Sequence, residues 1–551
     1  MLTLVRLLAL YFVATATLPS MAQLPVAPET EIDRYVQQED SAYRWEILTT
    51  RESAGIKTVV VDMVSQRWLT TEQVDRPEWQ HHLILSIPNK LVSDTGFLMI
   101  SGGANGRDAP TEASLEVREI ARATGTVVAE LKMVPNQPLV FHGDGVRRTE
   151  DDLIGYTWAQ YLKTGDASWL ARNAMVKSAV RAMDTMTAVV AEVANEHVVS
   201  KFVVAGASKR GWTTWLTGAM DKRVVGIVPI VIDVLNTDPS MRHHFAAYGY
   251  WAPSIGNYVE HRIMEEFDNP RLQDLYRLVD PYSYRNRLVM PKLILNAVGD
   301  QFFLPDSSQY YWDALVGEKH LRYVPNTDHG MKQSDALETV IAFYTMLVKN
   351  QPRPQFTWEM NVDGAFVVTP MDAPREVRLW QATNPHARDF RLETFGAKFT
   401  SEPLTAQPDG TFLGNVAEPE QGWTAYFVEL TYDVDAPVSL KLTTHVKVTP
   451  DTVPYADRDL AKPASVTLRC KFASTTAATA ATNVAKEFFR TELGIADLQH
   501  EQHGTDCYFN WIPKDFEAEA DRVLKCLRAE ACQGVSIQLE SGRTITVTNG
   551  P

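Results

Sequence analysis

A mixed α/β fold is predicted for this chain, with a mostly parallel, doubly wound sheet first, then a β-sandwich, then a small α+β module. Three observations carry that prediction. Between about residues 45 and 350, short Val/Ile/Leu-rich runs alternate with apolar residues at helical spacing. After Pro352 and Pro354 the apolar period falls to two. One apolar run also passes directly into Gly206-Ala207-Ser208 and on into a helical pattern, which is how a strand, a sharp turn and a helix read in a parallel sheet.

The elements follow in order. Arg6 precedes an apolar run over 7–16 and a small-residue site ending at Ala22, so a secretory signal peptide is expected over 1–22 and the mature chain is expected to be periplasmic or secreted. The run is shorter than the roughly 20 residues that span a bilayer, so no stable membrane insertion is expected after cleavage. The first domain is assigned to 23–350, with strands expected at 58–64, 97–100, 126–131, 201–205, 224–232, 292–297 and 321–324. A helix over 175–193 precedes the 201–205 strand, and a closing helix over 335–348 takes Ser334 as its cap. Residues 234–290 break the alternation with an aromatic-rich helical insertion, placed to form either a lid or a surface elaboration. The β-sandwich is assigned to 351–450, with runs at 356–360, 377–381, 423–432 and an alternating run at 438–448. The remaining 451–551 combine strands with helices over about 479–493 and 515–528 and a strand pair around Gly542. This last module holds all 4 cysteines, Cys470, Cys507, Cys526 and Cys532. In an oxidising compartment they are expected to form two disulfides, and their spacings fit no compact zinc site.

The net charge is −15 over 551 residues, with no block of Lys and Arg, which argues against nucleic acid as a partner. No phosphate loop, dinucleotide fingerprint or His-Glu-x-x-His pattern occurs, so neither cofactor nor metal is expected. No cysteine lies in 23–350, which excludes a thiol nucleophile there.

Chemistry concentrates after the strand ends. Ser208, on a tight turn that opens a helix, is the candidate nucleophile, and the plainer alternative is a capping serine. The match to Gly-x-Ser-x-Gly is imperfect, because Arg210 stands where glycine is usual and Gly211 follows it. A serine needs a base and an orienting acid. In α/β-hydrolases these follow in the order Ser, acid, His. His329, in Asn326-Thr327-Asp328-His329-Gly330 after the last strand, is the candidate base. Asp300, ending the run that closes in Gly299-Asp300, is the candidate acid, with Asp233 at the end of the preceding strand as its rival. Asp306 and Asp328 read as solvated loop residues. An oxyanion hole is expected from the Lys209 amide together with the Gly102-Gly103-Ala104 loop, through Gly103 or Ala104.

The stretch Gly206-Ala207-Ser208-Lys209-Arg210-Gly211-Trp212-Thr213-Thr214-Trp215-Leu216-Thr217 resembles the PhoPQ-activated pathogenicity-related protein family. So do the runs beginning Val231-Ile232-Asp233, Asp280-Pro281-Tyr282-Ser283-Tyr284, Gly299-Asp300-Gln301-Phe302-Phe303-Leu304-Pro305 and Lys319-His320-Leu321-Arg322-Tyr323. The resemblance implies an α/β-hydrolase-like fold, makes Arg210 ordinary at its position, and extends to secreted amoebal autocrine proliferation repressors. The expectation is therefore an exported serine hydrolase, esterase or peptidase, acting on a small-molecule ester or peptide. The alternative is a non-enzymatic secreted effector that uses the same scaffold as a binding surface.

Overall fold

The computed structural model describes residues 29–194, 197–457, 460, 466–492, 498–511, 522–523, 532–539 and 544–547. The expected signal segment, the helix over 515–528, Cys526 and Gly542 therefore lie outside the described residues, apart from residues 522–523 of that helix.

One nine-stranded sheet organises the first part of the chain. Its strands are β1 (Arg44–Ser53), β2 (Ile56–Arg67), β3 (Glu78–Pro88), β4 (Thr95–Ile100), β5 (Val128–Leu131), β6 (Lys201–Ala207), β7 (Val224–Ile230), β8 (Lys292–Ala297) and β9 (Lys319–Val324). They lie in the order β1-β2-β3-β5-β4-β6-β7-β8-β9. The first three pair antiparallel, β5 runs against β3, and β5-β4-β6-β7-β8-β9 are all parallel. This is the strand order of an α/β-hydrolase, with a crossover that puts β5 before β4.

Alternation along each strand explains why the sheet has a core on either side. Val203, Ala205, Val228, Leu293 and Leu295 face one core, where they meet α2 (Leu115–Thr124) and, after the last strand, α9 (Ala336–Val348). Phe202, Val204, Ile227 and Ile294 face the other. There they meet α1 (Glu31–Gln37), α3 (Glu150–Thr164), α4 (Ala171–Val193) and α5 (Lys209–Met220). Covering on both faces is why these strands read as nearly continuous apolar runs. Between β7 and β8 the insertion folds as α6 (Thr237–Tyr248), α7 (Gly256–Glu260) and α8 (Pro270–Val279), joined by short 3₁₀ turns. The N-cap of the closing helix falls one residue later than expected, at Asp335, and Ser334 Oγ donates to the Met331 carbonyl at 2.8 Å while accepting from the Ala336 amide at 3.4 Å.

Two antiparallel sheets come next. One is β10 (Phe356–Met360), β11 (Phe366–Pro370) and β14 (Phe412–Gly414). The other joins β12 (Glu376–Asn384), β13 (Thr400–Pro403), β15 (Trp423–Tyr432), β16 (Leu440–Thr443) and β17 (Lys447–Thr449), with the short α10 (Leu392–Phe395) between β12 and β13. Phe366 meets Tyr426 across them, ring centroids 5.5 Å apart. The alternating run at 438–448 is two strands, not one, each pairing with a different stretch of β15. The break falls at Thr444, whose Oγ1 accepts from the Val428 amide at 3.0 Å and so replaces a ladder carbonyl.

The last sheet runs β19-β20-β18-β21-β22, from β18 (Val466–Phe472), β19 (Gln499–His503), β20 (Asp506–Trp511), β21 (Cys532–Leu539) and β22 (Thr544–Val547), beside α11 (Thr475–Glu492). Cys470 and Cys507 face each other across β18 and β20. The expected disulfides are not found among the described residues: Cys470 and Cys507 are both buried thiols, and Cys507 Sγ donates to the Ala478 carbonyl at 3.6 Å.

A buried charge pair ties the parallel sheet to the antiparallel sheet that contains β15. Arg322 on β9, 1% exposed, bonds Glu429 of β15 and, at 2.9 Å, Asp335 at the start of α9. Arg322→Met leaves the Glu429 carboxylate buried without its partner, and urea unfolding is expected to show a loss of about 3–5 kcal/mol. Adding Glu429→Leu should recover most of that loss. Equal stability of the single and double variants would contradict the pairing.

Candidate active site

Because β6 to β9 are parallel, the residues that follow them all emerge at one edge of the sheet. Ser208 follows β6 directly, with φ 58° and ψ −128°. Its amide donates to the Ile230 carbonyl of β7 at 2.8 Å, and its own carbonyl accepts from the Trp212 amide at 3.0 Å. The turn admits no side chain at two flanking positions. A Cβ on Gly206 would lie 2.7 Å from the Arg210 carbonyl oxygen, and one on Gly211 would lie 2.8 Å from Ile232 Cγ2. Ser208 sits at the N-cap of α5, yet its hydroxyl makes no capping bond. The capping-serine alternative therefore does not describe this side chain.

Asp300 and His329 meet. His329 Nδ1 lies 2.8 Å from Asp300 Oδ2, while Asp300 Oδ1 accepts from the Phe302 amide at 2.7 Å. The His329 amide donates to Gln301 Oε1 at 3.1 Å. Their two loops are stitched by the Gly299 amide on the Thr327 carbonyl at 3.0 Å, an approach that leaves 2.8 Å between that oxygen and a Cβ on residue 299. With Nδ1 donating to the carboxylate, Nε2 carries the lone pair. That Nε2 is buried and has no hydrogen-bond partner among the described residues, so no bond joins it to Ser208 Oγ. The imidazole packs against Phe302, ring centroids 4.4 Å apart, and Phe302 lines the same pocket as Ser208.

Asp233 is brought to the same edge but not to His329. Its two oxygens accept from the Tyr311 and Tyr323 hydroxyls, each at 2.5 Å. Burial, with smaller contributions from the charges of Asp300 and Asp306, pushes its carboxyl up to about 7, against the pull of the two phenols. Asp306 is not solvated as expected. It is 4% exposed and receives Arg388 at 2.6 Å and His243 Nε2 at 3.0 Å. The cover comes from Arg388, 82 residues further along the chain, which nothing local announces. Asp328 accepts from the Gly330 amide at 2.9 Å in the exposed turn.

The residues beside Ser208 form a clamp that local sequence did not reveal. Arg210 reaches Glu150 through both terminal nitrogens, at 2.8 and 2.7 Å, and its Nε donates to the Val134 carbonyl at 2.5 Å. Lys209 Nζ lies 2.8 Å from Glu150 and 3.1 Å from Asp151. Burial alone would raise the Glu150 carboxyl, but the Arg210 and Lys209 cations overcome it and hold Glu150 well below the usual carboxylate range. Gln137 Nε2 donates both to Glu150 Oε1 at 2.6 Å and to the Gly103 carbonyl at 3.2 Å. The Arg210 guanidinium also passes 2.7 Å from where a Gly102 Cβ would be. The Gly102-Gly103-Ala104 loop is thus held against the start of α5 from two sides, and Gly103 carries φ 146°. Thr149 ahead of three acidic residues marks a helix start in the sequence, but nothing there points to a partner 60 residues away.

A largely apolar pocket opens on Ser208. Met241 of α6, Tyr258 of α7 and Tyr276 of α8 line it together with Trp158 and Trp212, and the Trp158 ring packs against both tyrosines. The insertion therefore supplies part of the lining of the pocket that contains the serine.

Similarity to known proteins agrees with the sequence resemblance. The model of the PhoPQ-activated pathogenicity-related protein family matches residues 32–391. Autocrine proliferation repressor protein A of Dictyostelium discoideum is 35% identical over 455 residues, covering 77% of this chain and 92% of that protein. Among solved structures, the acetyl xylan esterase of Paenibacillus sp. R4 matches 56% of this chain and 92% of its own at 15% identity, with a TM-score of 0.39. A puromycin hydrolase matches 56% of this chain and 48% of its own at 16% identity, with a TM-score of 0.33.

Asp233 gives a pH-dependent test that is independent of catalysis. Its folded value lies above the unfolded one, so its stabilising contribution is complete below about pH 4 and is lost as pH rises through about 7. Asp233→Asn removes that loss. Melting curves of the two proteins are expected to diverge in the variant's favour between pH 5 and 8, by roughly 4 kcal/mol at most. Curves that stay parallel would contradict the assignment.

Proposed function

This chain belongs to the PhoPQ-activated pathogenicity-related protein family, and from that premise we propose that it is an exported serine hydrolase cleaving an ester or amide bond. One observation carries the reading: a serine with left-handed backbone and an uncapped hydroxyl lies at the sheet edge that also bears a bonded Asp300–His329 pair. Asp300 holds the Nδ1–H tautomer, which leaves His329 Nε2 to take the Ser208 proton as Oγ attacks the substrate carbonyl. The carbonyl oxygen, now negative, is received by the Lys209 amide and by that of Gly103 or Ala104. The imidazolium then protonates the leaving alkoxide or amine, and water activated by the same nitrogen releases the acyl group. Export rests on the charge and apolar pattern of residues 1–22.

A second reading, a secreted binding effector, is favoured by one observation: His329 Nε2 makes no bond to Ser208. The name of the amoebal relative describes regulation and is compatible with either reading. Catalytic hydrogen bonds of this kind commonly tighten only in the substrate complex, which is why the hydrolase reading is preferred.

A fluorophosphonate probe separates the two. Wild type is expected to label and Ser208→Ala to lose the label, with Asp300→Asn slowing labelling about 10³- to 10⁴-fold. Folded wild-type protein that takes no label would favour the effector. The clamp makes a further prediction. Glu150→Gln loosens Arg210 and the Gly103 loop, so kcat should fall about 10- to 100-fold with KM little changed. A change confined to KM would assign Glu150 to substrate binding instead.

A further inference from the structure

The wall of the Ser208 pocket is not electrically balanced. Arg172 of α4 lines it, is 2% exposed, and has no carboxylate within ion-pair distance among the described residues. Its Nη1 donates to the Lys209 carbonyl at 3.2 Å, its guanidinium hydrogen-bonds the neutral Tyr258 hydroxyl and its central carbon stands 4.1 Å from the centre of the Trp212 ring, and its Nε is buried without a partner among the described residues. Asp151 attracts the guanidinium but is itself engaged by the Tyr258 hydroxyl at 3.0 Å and by Lys209 at 3.1 Å. Three cations, Arg172, Lys209 and Arg210, therefore stand against two carboxylates, Glu150 and Asp151, which leaves one positive charge over.

A second donor lies in the same wall. Trp158, 4% exposed, has its indole Nε1 buried with no acceptor among the described residues. Its ring is 6.1 Å from that of Trp212 and 5.5 Å from that of Tyr258, so it belongs to the group that surrounds the guanidinium. Buried donors are almost always paired, and a buried charge left unpaired is costly. Two orphaned N–H donors, one of them cationic, in an otherwise aromatic pocket are complementary to a group that carries negative charge and only accepts hydrogen bonds. A carboxylate is that group.

Resting on the hydrolase reading above, we propose that the pocket selects substrates whose acyl portion carries a free carboxylate, bound by Arg172 with the Trp158 indole N–H as second donor. The apolar walls then hold the body of the acyl chain, and the ester or amide bond lies at Ser208. Arg172 is a specificity-determining residue in this scheme.

The test compares two esters that differ in charge alone: the mono-4-nitrophenyl ester of octanedioic acid and the same ester with its free acid converted to a carboxamide. Wild type is expected to favour the carboxylate by about tenfold or more in kcat/KM. Arg172→Met should abolish or reverse that preference, and Arg172→Lys should weaken it. Wild type that hydrolyses both equally, or prefers the carboxamide, would overturn the proposal even if neither variant folds. So would an Arg172→Met protein that loses the same factor on both esters, since the guanidinium would then serve the chemistry they share. Failure of the underlying reading looks different: wild type would then hydrolyse neither ester and leave Ser208 unlabelled by fluorophosphonate, and the carboxylate assignment would fall with it.

Discussion

The strained turn at Ser208 is the constraint on which the rest depends. A non-glycine residue at φ 58° costs about 1–3 kcal/mol and persists only where its surroundings hold it. Here the hold is explicit. The serine amide is anchored to β7, glycines stand at 206 and 211 because nothing larger fits, and α5 begins immediately. The strain lifts the hydroxyl out of the capping role that its position would otherwise assign it. It also sets the first-turn amides of α5 toward the edge where β7, β8 and β9 deliver their own loops.

Three buried aspartates follow β7 and β8, and each has a different partner, which separates three roles. Asp233 is held by two phenols, Asp300 by the imidazole, and Asp306 by Arg388 and His243. Only the second arrangement fixes a histidine tautomer. Burial, against the pull of the two phenols, lets Asp233 exist as a neutral acid near neutrality, while the Arg388 cation beside Asp306 overcomes burial and keeps that group charged. Closely spaced carboxylates can share one sheet edge because their charges are settled by different neighbours.

The sheet and the three candidate catalytic residues were legible in the sequence for the same reason. Strands buried on both faces leave long apolar runs, and Ser208, Asp300 and His329 each come just after one. The features that escaped a sequence reading depended on partners far along the chain. Arg210 looked like a defect in the serine motif until Glu150 supplied its counter-charge, and Asp306 looked solvated until Arg388 covered it. Asp300 was preferred to Asp233 on its Gly-Asp turn, but both end a strand, and the partners that separate them, His329 for Asp300 and two tyrosines for Asp233, lie elsewhere in the chain. The alternating run at 438–448 hid a break because Thr444 keeps the period while its hydroxyl replaces a ladder acceptor. Arg172, at the second position of α4, gave no sign that it would line the pocket of Ser208 without a carboxylate at ion-pair distance among the described residues.

A crystal structure of the protein after reaction with a fluorophosphonate would bring these elements to one measurement. The phosphorus is expected on Ser208 Oγ, with its oxygen about 3 Å from the Lys209 amide and from that of Gly103 or Ala104. His329 Nε2 is expected within hydrogen-bond reach of the adduct while Nδ1 stays on Asp300. An adduct whose oxygen faces solvent, or an imidazole that remains out of reach of the phosphonylated serine, would contradict a nucleophile, base and oxyanion hole assembled at this edge.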